Sequence, residues 1–305
     1  MIKANLPRRC GYIALIGAPN AGKSTLLNAL AGAKLSIVSP KPQTTRGRVR
    51  GVVCEGDSQM IFVDTPGIFD AKPAFEKAMV EAAWSGVAEA DALLLLVDAE
   101  RGLDGDVRRI IEALKLRGKK ALLVLNKVDK VEKPRLPQLA QALYALLDFE
   151  RSFMISATRG DGVRDILRYL SARMPQGEWL YPADELTDTP ERQLAAEITR
   201  EQCFLKLHAE LPYGLMVETE KWEEKTVDGK RVLRIHQTII TERESHKKMI
   251  LGKGGVMLKS IGSVARRKIA EALEAEAHLF LFVKVREKWK DDPQSFHAAG
   301  LGYKP

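Results

Sequence analysis

The stretch "GAPNAGKST", Gly17 to Thr25, fits the pattern G-x-x-x-x-G-K-S. It follows the apolar run "YIALI" and precedes the helical pattern "TLLNALAG". In that context glycines allow a tight wrap, and backbone N–H groups from Gly17, Ala18, Asn20, Ala21 and Gly22 face phosphates, with Pro19, which has no N–H, shaping the same loop. Lys23 is placed to reach the outer phosphates, the Ser24 hydroxyl to ligate Mg²⁺, and Thr25 to continue the cradle. Such a loop handles a nucleoside triphosphate. It does not name the base.

"NKVD", Asn126 to Asp129, names it. It follows the run "ALLVL" and so lies at the ligand-facing end of a strand. A carboxylate at Asp129 accepts two hydrogen bonds from N1–H and the 2-amino group of guanine. Adenine offers neither and would leave it unpaired. Asn126, Lys127 and Val128 complete this edge of the site, and "SA", Ser156 and Ala157, adds a backbone N–H for the guanine carbonyl. "DTPG" closes the phosphate end: Asp64 for Mg²⁺, with Thr65, Pro66 and the Gly67 N–H near the γ-phosphate. "PQTTRGR" offers a threonine to the Mg²⁺ shell, Thr45 first and Thr44 as the alternative. A loop that depends on the γ-phosphate in this way would be ordered by GTP and released by GDP. Lys23, Thr45, Gly67 and Asn20 are the candidate catalytic residues.

Ile68 follows "DTPG", where a Ras-type enzyme carries a glutamine that orients water. Isoleucine cannot do this, so slow intrinsic hydrolysis is expected. Asn20 has two readings: it shapes the loop, or it helps hold a monovalent cation that offsets charge developing on the phosphates.

A second glycine loop, "GKGG", Gly252 to Gly255, has other chemistry. A bare G-x-x-G is weak, and "GLDG" at Gly102 to Gly105 matches it equally well while reading as an acidic turn. "GKGG" carries Lys253, follows "HKKMIL" with Lys248, and opens a helix with Leu258, Ile261, Ala265, Ile269 and Ala272 on one face. Lys259, Arg266, Arg267 and Lys268 make the remainder basic. This is the make-up of a KH module, whose GXXG loop clamps a single-stranded RNA backbone. Gly252, Lys253, Gly254 and Gly255, with Lys248, Lys259, Arg266 and Arg267, are the candidate RNA contacts. Phe280 and Phe282 alternate with Leu279, Leu281, Val283 and Val285 in the last strand pattern; packing against a neighbouring element is expected for the two rings ahead of base stacking.

The elements that must position these residues follow two rhythms. From Gly11 to about Met174, apolar runs ("YIALIG", "MIFVDT", "ALLLLVDA", "ALLVLNK", "FMISA") alternate with amphipathic segments, which predicts an α/β domain with a mostly parallel sheet. "RGRVRGVVCEGD" reads as a more polar edge strand. "PQGEWLYPADELTDTPER" breaks the rhythm and reads as a linker. An α-β-β-α-β order follows, an α+β domain. The expected division is a nucleotide domain over 1–174, a linker over 175–193, an RNA-binding domain over 194–290 and a tail over 291–305.

The bulk numbers agree. A chain of 305 residues suffices for two cores. Residues 234–290 hold thirteen basic and six acidic residues and so carry +7 of the +8 net charge, an asymmetry that points to nucleic acid or an anionic surface. The longest apolar run, "ALLLLV", is far too short to span a bilayer, and no export signal is visible. Cys10, Cys54 and Cys203 stand alone, which fits a reducing cytoplasm.

Together, "GAPNAGKSTLLNAL", "QTTR", "DTPGI", "NKVD", "ELPYGLMVE", "HKKMILGKGG" and "FVKV", in this order and nearly end to end, resemble the Era family of bacterial GTPases. The resemblance implies a Ras-like P-loop GTPase domain joined to a type II KH domain. It implies hydrolysis of GTP to GDP with Mg²⁺, binding to 16S rRNA near its 3′ end, and a role in 30S subunit assembly as a monomer. It also implies a cytoplasmic protein with peripheral association at the inner membrane, and, through Asn20 and the apolar Ile68, K⁺ dependence. Two rival readings stand beside it: an RNA-binding protein whose GTPase domain is only a scaffold, and a membrane-surface GTPase whose basic patch meets lipid.

Overall fold

The computed structural model describes residues 7–71, 73–208 and 210–303. Residues 1–6 and 304–305, the outer ends of the expected nucleotide domain and tail, lie outside the described residues. The chain divides into two compact units, Met1–Ser36 with Thr45–Asp188, and Ile37–Thr44 with Thr189–Pro305.

In the first unit β1 (Arg9–Gly17), α1 (Lys23–Ala31), β2 (Val49–Glu55), β3 (Ser58–Asp64), α2 (Ala74–Glu89), β4 (Ala92–Asp98), α3 (Gly105–Leu116), β5 (Leu122–Asn126), α4 (Arg135–Tyr144), β6 (Ser152–Met154) and α5 (Val163–Ser171) follow in turn. The six strands lie in the order β2-β3-β1-β4-β5-β6. Only the β2–β3 pair is antiparallel. The runs that lack alternation in the sequence are the strands buried on both faces. Ile13, Leu15, Phe62, Leu94, Leu96 and Val124 pack on one side, and Ile16, Leu93, Leu95, Val97 and Leu123 on the other. β1 has β3 on one side and β4 on the other, so the chain's winding reverses there, and the crevice above a reversal is where α/β sheets bind ligands. The first glycine loop joins β1 to α1 at that point.

β2 is an edge strand, as its polar composition suggested. Its free side is covered by the stretch read as a linker. The Val52 N–H donates to Leu186 O (2.8 Å), Thr187 Oγ1 to Arg50 O (2.7 Å), and Arg50 pairs with Asp188 (2.5 Å). Gln59 Nε2 donates to Tyr181 O (2.8 Å). Prolines and acids keep this stretch out of helices, yet its carbonyls satisfy an exposed edge.

The second unit holds α6 (Glu191–Lys206), β7 (Leu215–Val227), β8 (Lys230–Thr241), α7 (Glu244–Leu251), α8 (Val256–Ala272), β9 (Glu276–Val285) and α9 (Pro293–Ala298). The sheet order is β7-β8-β9, with β8 and β9 parallel. The order expected from sequence lacked α7, whose eight residues are too few to show a period. Its helices bury Ile198, Cys203, Ile250, Ile261 and Ile269 against Leu215, Leu233, Ile235, Ile239 and Val283. Ile37–Thr44 packs with this unit through α6: the Val38 N–H donates to Glu201 Oε1 (2.9 Å), Lys41 Nζ to the carbonyls of Phe204 and Leu207, and Arg200 Nη2 to Thr44 O (2.6 Å). Phe280 and Phe282 do not pack beneath another element: they are 39% and 50% exposed. Among the described residues no helix is long and apolar enough to cross a membrane, and Cys10, Cys54 and Cys203 are free thiols.

Candidate functional site

Residues 17–25 form a closed turn at the end of β1. Lys23 is buried and donates to the Gly17 and Ala18 carbonyls (both 3.1 Å). Burial lowers its pKa to about 8, although Asp64 pulls it up. A buried ammonium held by two carbonyls is poised to exchange them for phosphate oxygens. Pro19 and Asn20 lie at the partly exposed turn, Asn20 left-handed at φ 64°.

Three oxygens converge beside this turn. Ser24 Oγ donates to Asp64 Oδ2 (2.6 Å) and lies 2.8 Å from Thr45 Oγ1, which is 3.4 Å from the same carboxylate oxygen. Asp64 is fully buried and its pKa is raised by that burial. Its second oxygen, Oδ1, is buried without a hydrogen-bond partner. Such an orphaned oxygen is costly unless something binds it. Oxygen donors from Ser24, Thr45 and Asp64 suit Mg²⁺, a hard cation that prefers oxygen and keeps several waters. Thr44 is not part of this cluster; its hydroxyl lies 2.6 Å from Ser39 Oγ and donates to Lys41 O (2.8 Å). Ser36, which sequence reasoning missed, donates to Asp64 Oδ2 (2.9 Å); no motif contains it.

The "DTPG" residues close over the turn. Thr65 Oγ1 donates to Leu15 O (2.7 Å), and the Ile68 N–H to Gly17 O (3.3 Å). Pro66 is buried, and a Cβ at Gly67 would lie 3.0–3.1 Å from Pro19. Ile68 is buried in the core, and its apolar side chain has no group with which to orient water.

The base end is braced by Asn126. Its amide donates to Ala21 O (2.9 Å) and its carbonyl accepts from the Ala157 N–H (3.1 Å), which fixes the phosphate loop and the "SAT" loop to one side chain. Losing that side chain would leave two backbone groups unpaired, a cost of about 1–3 kcal/mol each. Lys127, left-handed at φ 62°, pairs with Asp98 (2.6 Å), a partner that lies outside every motif. The Val128 N–H donates to Ile155 O (3.2 Å). At Asp129 a hydrogen bond from Ser156 holds the carboxyl below its usual range. Its Oδ1 is buried without a partner. The sequence-named groups thus come together as two patches, each ending in a carboxylate oxygen that no described residue satisfies.

In the second unit, α7 ends at Leu251 and α8 begins at Val256, with Gly252–Gly255 between them. Gly252, Gly254 and Gly255 have φ of 71°, 61° and 79°. A Cβ at Gly252 would press within 2.8 Å of Met257, whereas at Gly254 and Gly255 it would meet nothing within 4 Å. Lys248, Lys253, Lys259, Arg266 and Arg267 are exposed. Lys268 is engaged by buried Glu201 (3.1 Å). Met249 and Val256 bracket the loop at 59% and 68% exposure. Sequence reasoning passed over both, though their positions off the buried helix faces were a signal.

Comparison with known proteins follows this division. Residues 12–127 match a family described as 50S ribosome-binding GTPase, and residues 210–290 match the KH domain. The chain is 54% identical over 300 residues to the GTPase Era of Sinorhizobium medicae, covering 98% of this chain and 96% of that protein. The chain belongs to the Era family. The Era of Agrobacterium fabrum is 53% identical over 298 residues, 98% of this chain and 93% of that protein. A single-residue variant of Aquifex aeolicus Era bound to GDP·AlF4⁻ superposes with a TM-score of 0.90 at 36% identity, covering 96% of this chain and 99% of that one. An Era in complex with MgGDPNP and nucleotides 1506–1542 of 16S rRNA gives a TM-score of 0.89 at the same identity and coverage. The family and the fold, a Ras-like GTPase domain followed by a KH domain, are therefore those implied by the sequence resemblance.

Proposed function

We propose that this chain binds and hydrolyses GTP with Mg²⁺ and binds 16S rRNA through its KH domain, as a GTP-controlled factor in 30S subunit assembly. The observation that carries it is the buried, unpartnered Oδ1 of Asp64 beside Ser24 and Thr45. An orphaned buried oxygen costs stability by itself, and Ser24, Thr45 and Asp64 would hold Mg²⁺ beside the phosphates. Bound Mg²⁺ supplies charge neutralisation at the phosphates. Lys23 then exchanges the Gly17 and Ala18 carbonyls for phosphate oxygens, and Asp129 Oδ1 takes the guanine N–H donors. Gly67, tight against Pro19, offers its N–H to the γ-phosphate. Thr45 is the Mg²⁺ threonine of this proposal.

No side chain at position 68 orients water, which supports slow intrinsic turnover. Left-handed Asn20 at the partly exposed turn supports a monovalent cation as the missing stabiliser, so K⁺ should stimulate hydrolysis over Na⁺. The exposed lysines around Gly252–Gly255 support RNA binding with strong salt dependence.

The test is the affinity of the full chain for a short single-stranded RNA from the 16S 3′ end, at fixed salt, with GDP and with a non-hydrolysable GTP analogue. Tenfold tighter binding with the analogue corresponds to about 1.4 kcal/mol of coupling and establishes a switch. Equal affinity in both states leaves two independent sites and favours the scaffold reading.

A further inference from the structure

The outer face of the second unit's sheet carries rings that no element covers. β9 is an edge strand: Leu281 and Val283 point to the helices, and a Cβ at Gly262 of α8 would touch Leu281 at 3.2 Å. Phe280 and Phe282 point the other way and are 39% and 50% exposed. In register, Phe280 lies opposite His236. The His236 ring stacks on Phe280 at 4.7 Å and 19°, and is near-parallel to Phe282 at 6.3 Å and 11°. The Arg234 guanidinium sits 5.1 Å from the Phe280 centroid. Three near-parallel rings with an arginine at one end, on an open sheet, are a stacking surface.

We propose that His236, Phe280 and Phe282 form a second RNA contact that stacks unpaired bases, on the sheet face opposite the GXXG helix. The occupant is argued from the surface and from its continuity with the glycine loop. Alternate residues of a strand are about 6.7 Å apart, twice the roughly 3.4 Å step of a stacked strand, so the two rings suit splayed bases of an extended strand. Sheets that bind RNA place aromatics in this way, two or three bases to a face. Arginine adds a cationic edge to such stacks. The basic groups beyond the rings are already matched, Lys284 by Glu220 (2.7 Å) and Arg286 by Glu218 (3.0 Å); the face thus recognises base rings more than phosphates. β9 separates the two RNA surfaces by one strand, so a strand leaving the GXXG side rounds a single edge to reach the rings. This rests on the reading of the second unit as an RNA-binding domain.

The experiment titrates the full chain with generic single-stranded RNA of six and of fourteen nucleotides, followed by fluorescence anisotropy at several salt concentrations. Phe280→Ala/Phe282→Ala should lose tenfold or more on the longer RNA and less than twofold on the shorter. Its salt slope should stay that of the unsubstituted chain, because stacking releases no counterions. Phe282→Trp should keep its affinity, and the added tryptophan emission should be quenched by the longer RNA. Unchanged affinity of the double alanine variant for the longer RNA overturns the proposal and leaves the face to a protein partner. Emission from the added tryptophan that stays unquenched, in a chain that binds normally, overturns it as well. If Gly254→Asp spares binding that the double alanine variant abolishes, the GXXG reading fails and the stacking surface stands. If the unsubstituted chain binds neither RNA, both fall.

Discussion

Two glycine loops of this chain hold their glycines for opposite reasons. At the nucleotide loop a Cβ would collide with the protein itself: Gly17 with Leu96 O at 2.5 Å, Gly22 with Asn126 Nδ2 at 2.2 Å. At the KH-domain loop, Gly254 and Gly255 face open space. The first loop is built into the core: buried Asn126 bonds Ala21, buried Asp64 accepts from Ser24, and buried Lys23 donates to Gly17. The second stands on the surface between α7 and α8. The lesson is that a glycine motif can mark a tightly braced cradle or an approach lane, and only the surroundings tell which.

The sharpest way to break that contrast is Gly22→Ala. At φ 97° the new side chain is strained, and the amide it meets cannot move without releasing Ala21 and Ala157. A loss of about 3 kcal/mol of stability is expected, with GTP affinity down about a thousandfold. Calorimetry on the nucleotide-free chain reads the first and titration the second. A melting temperature within a degree of the parent would show that the cradle is less braced than its contacts indicate.

Asp129→Asn comes next. The amide cannot accept from both guanine donors, so GTP affinity should fall about a hundredfold. A base bearing a carbonyl in place of the 2-amino group, as in xanthosine triphosphate, should recover most of it. The melting temperature should change little, because Oδ1 has no partner among the described residues and the amide oxygen can still accept from Ser156; only the exposed 3.8 Å pairing with Arg159 is lost. If xanthosine triphosphate gains nothing, Asp129 does not face the base.

Gly254→Asp probes the other loop. Aspartate tolerates left-handed backbone and would meet no atom within 4 Å, so the fold should hold. The carboxylate would repel phosphate, and RNA affinity should fall by about thirtyfold or more while GTP binding stays unchanged. A parallel loss of GTP binding would end the two-site picture.

Much of the candidate nucleotide site was legible because phosphate and guanine chemistry would dictate residue types at fixed spacing, and the structure brings Gly17 to Ser24 together with Asp64 and Asn126. Ser36 and Asp98 were not. They act through the fold, one on Asp64 and one on Lys127, and no local pattern marks such partners. The short α7 escaped for want of a period. The rings of β9 were misjudged because alternation shows that a second face exists, not whether anything covers it.

The smallest expected effect tests where the two units divide. Thr44 and Thr45 are neighbours in sequence, yet Thr45 belongs with the first unit and Thr44 with the second. Thr45 Oγ1 lies 2.8 Å from Ser24 Oγ, while the Thr44 hydroxyl donates to Lys41 O and lies 2.6 Å from Ser39 Oγ. Thr45→Ala should weaken Mg²⁺-dependent GTP binding about tenfold, the worth of one good oxygen contact. Thr44→Ala removes a contact within Ile37–Thr44 and should change the same affinity by about twofold or less. Equal losses in the two variants would mean that this segment rearranges with nucleotide bound, and that the choice between adjacent threonines is made by the ligand rather than by the resting fold.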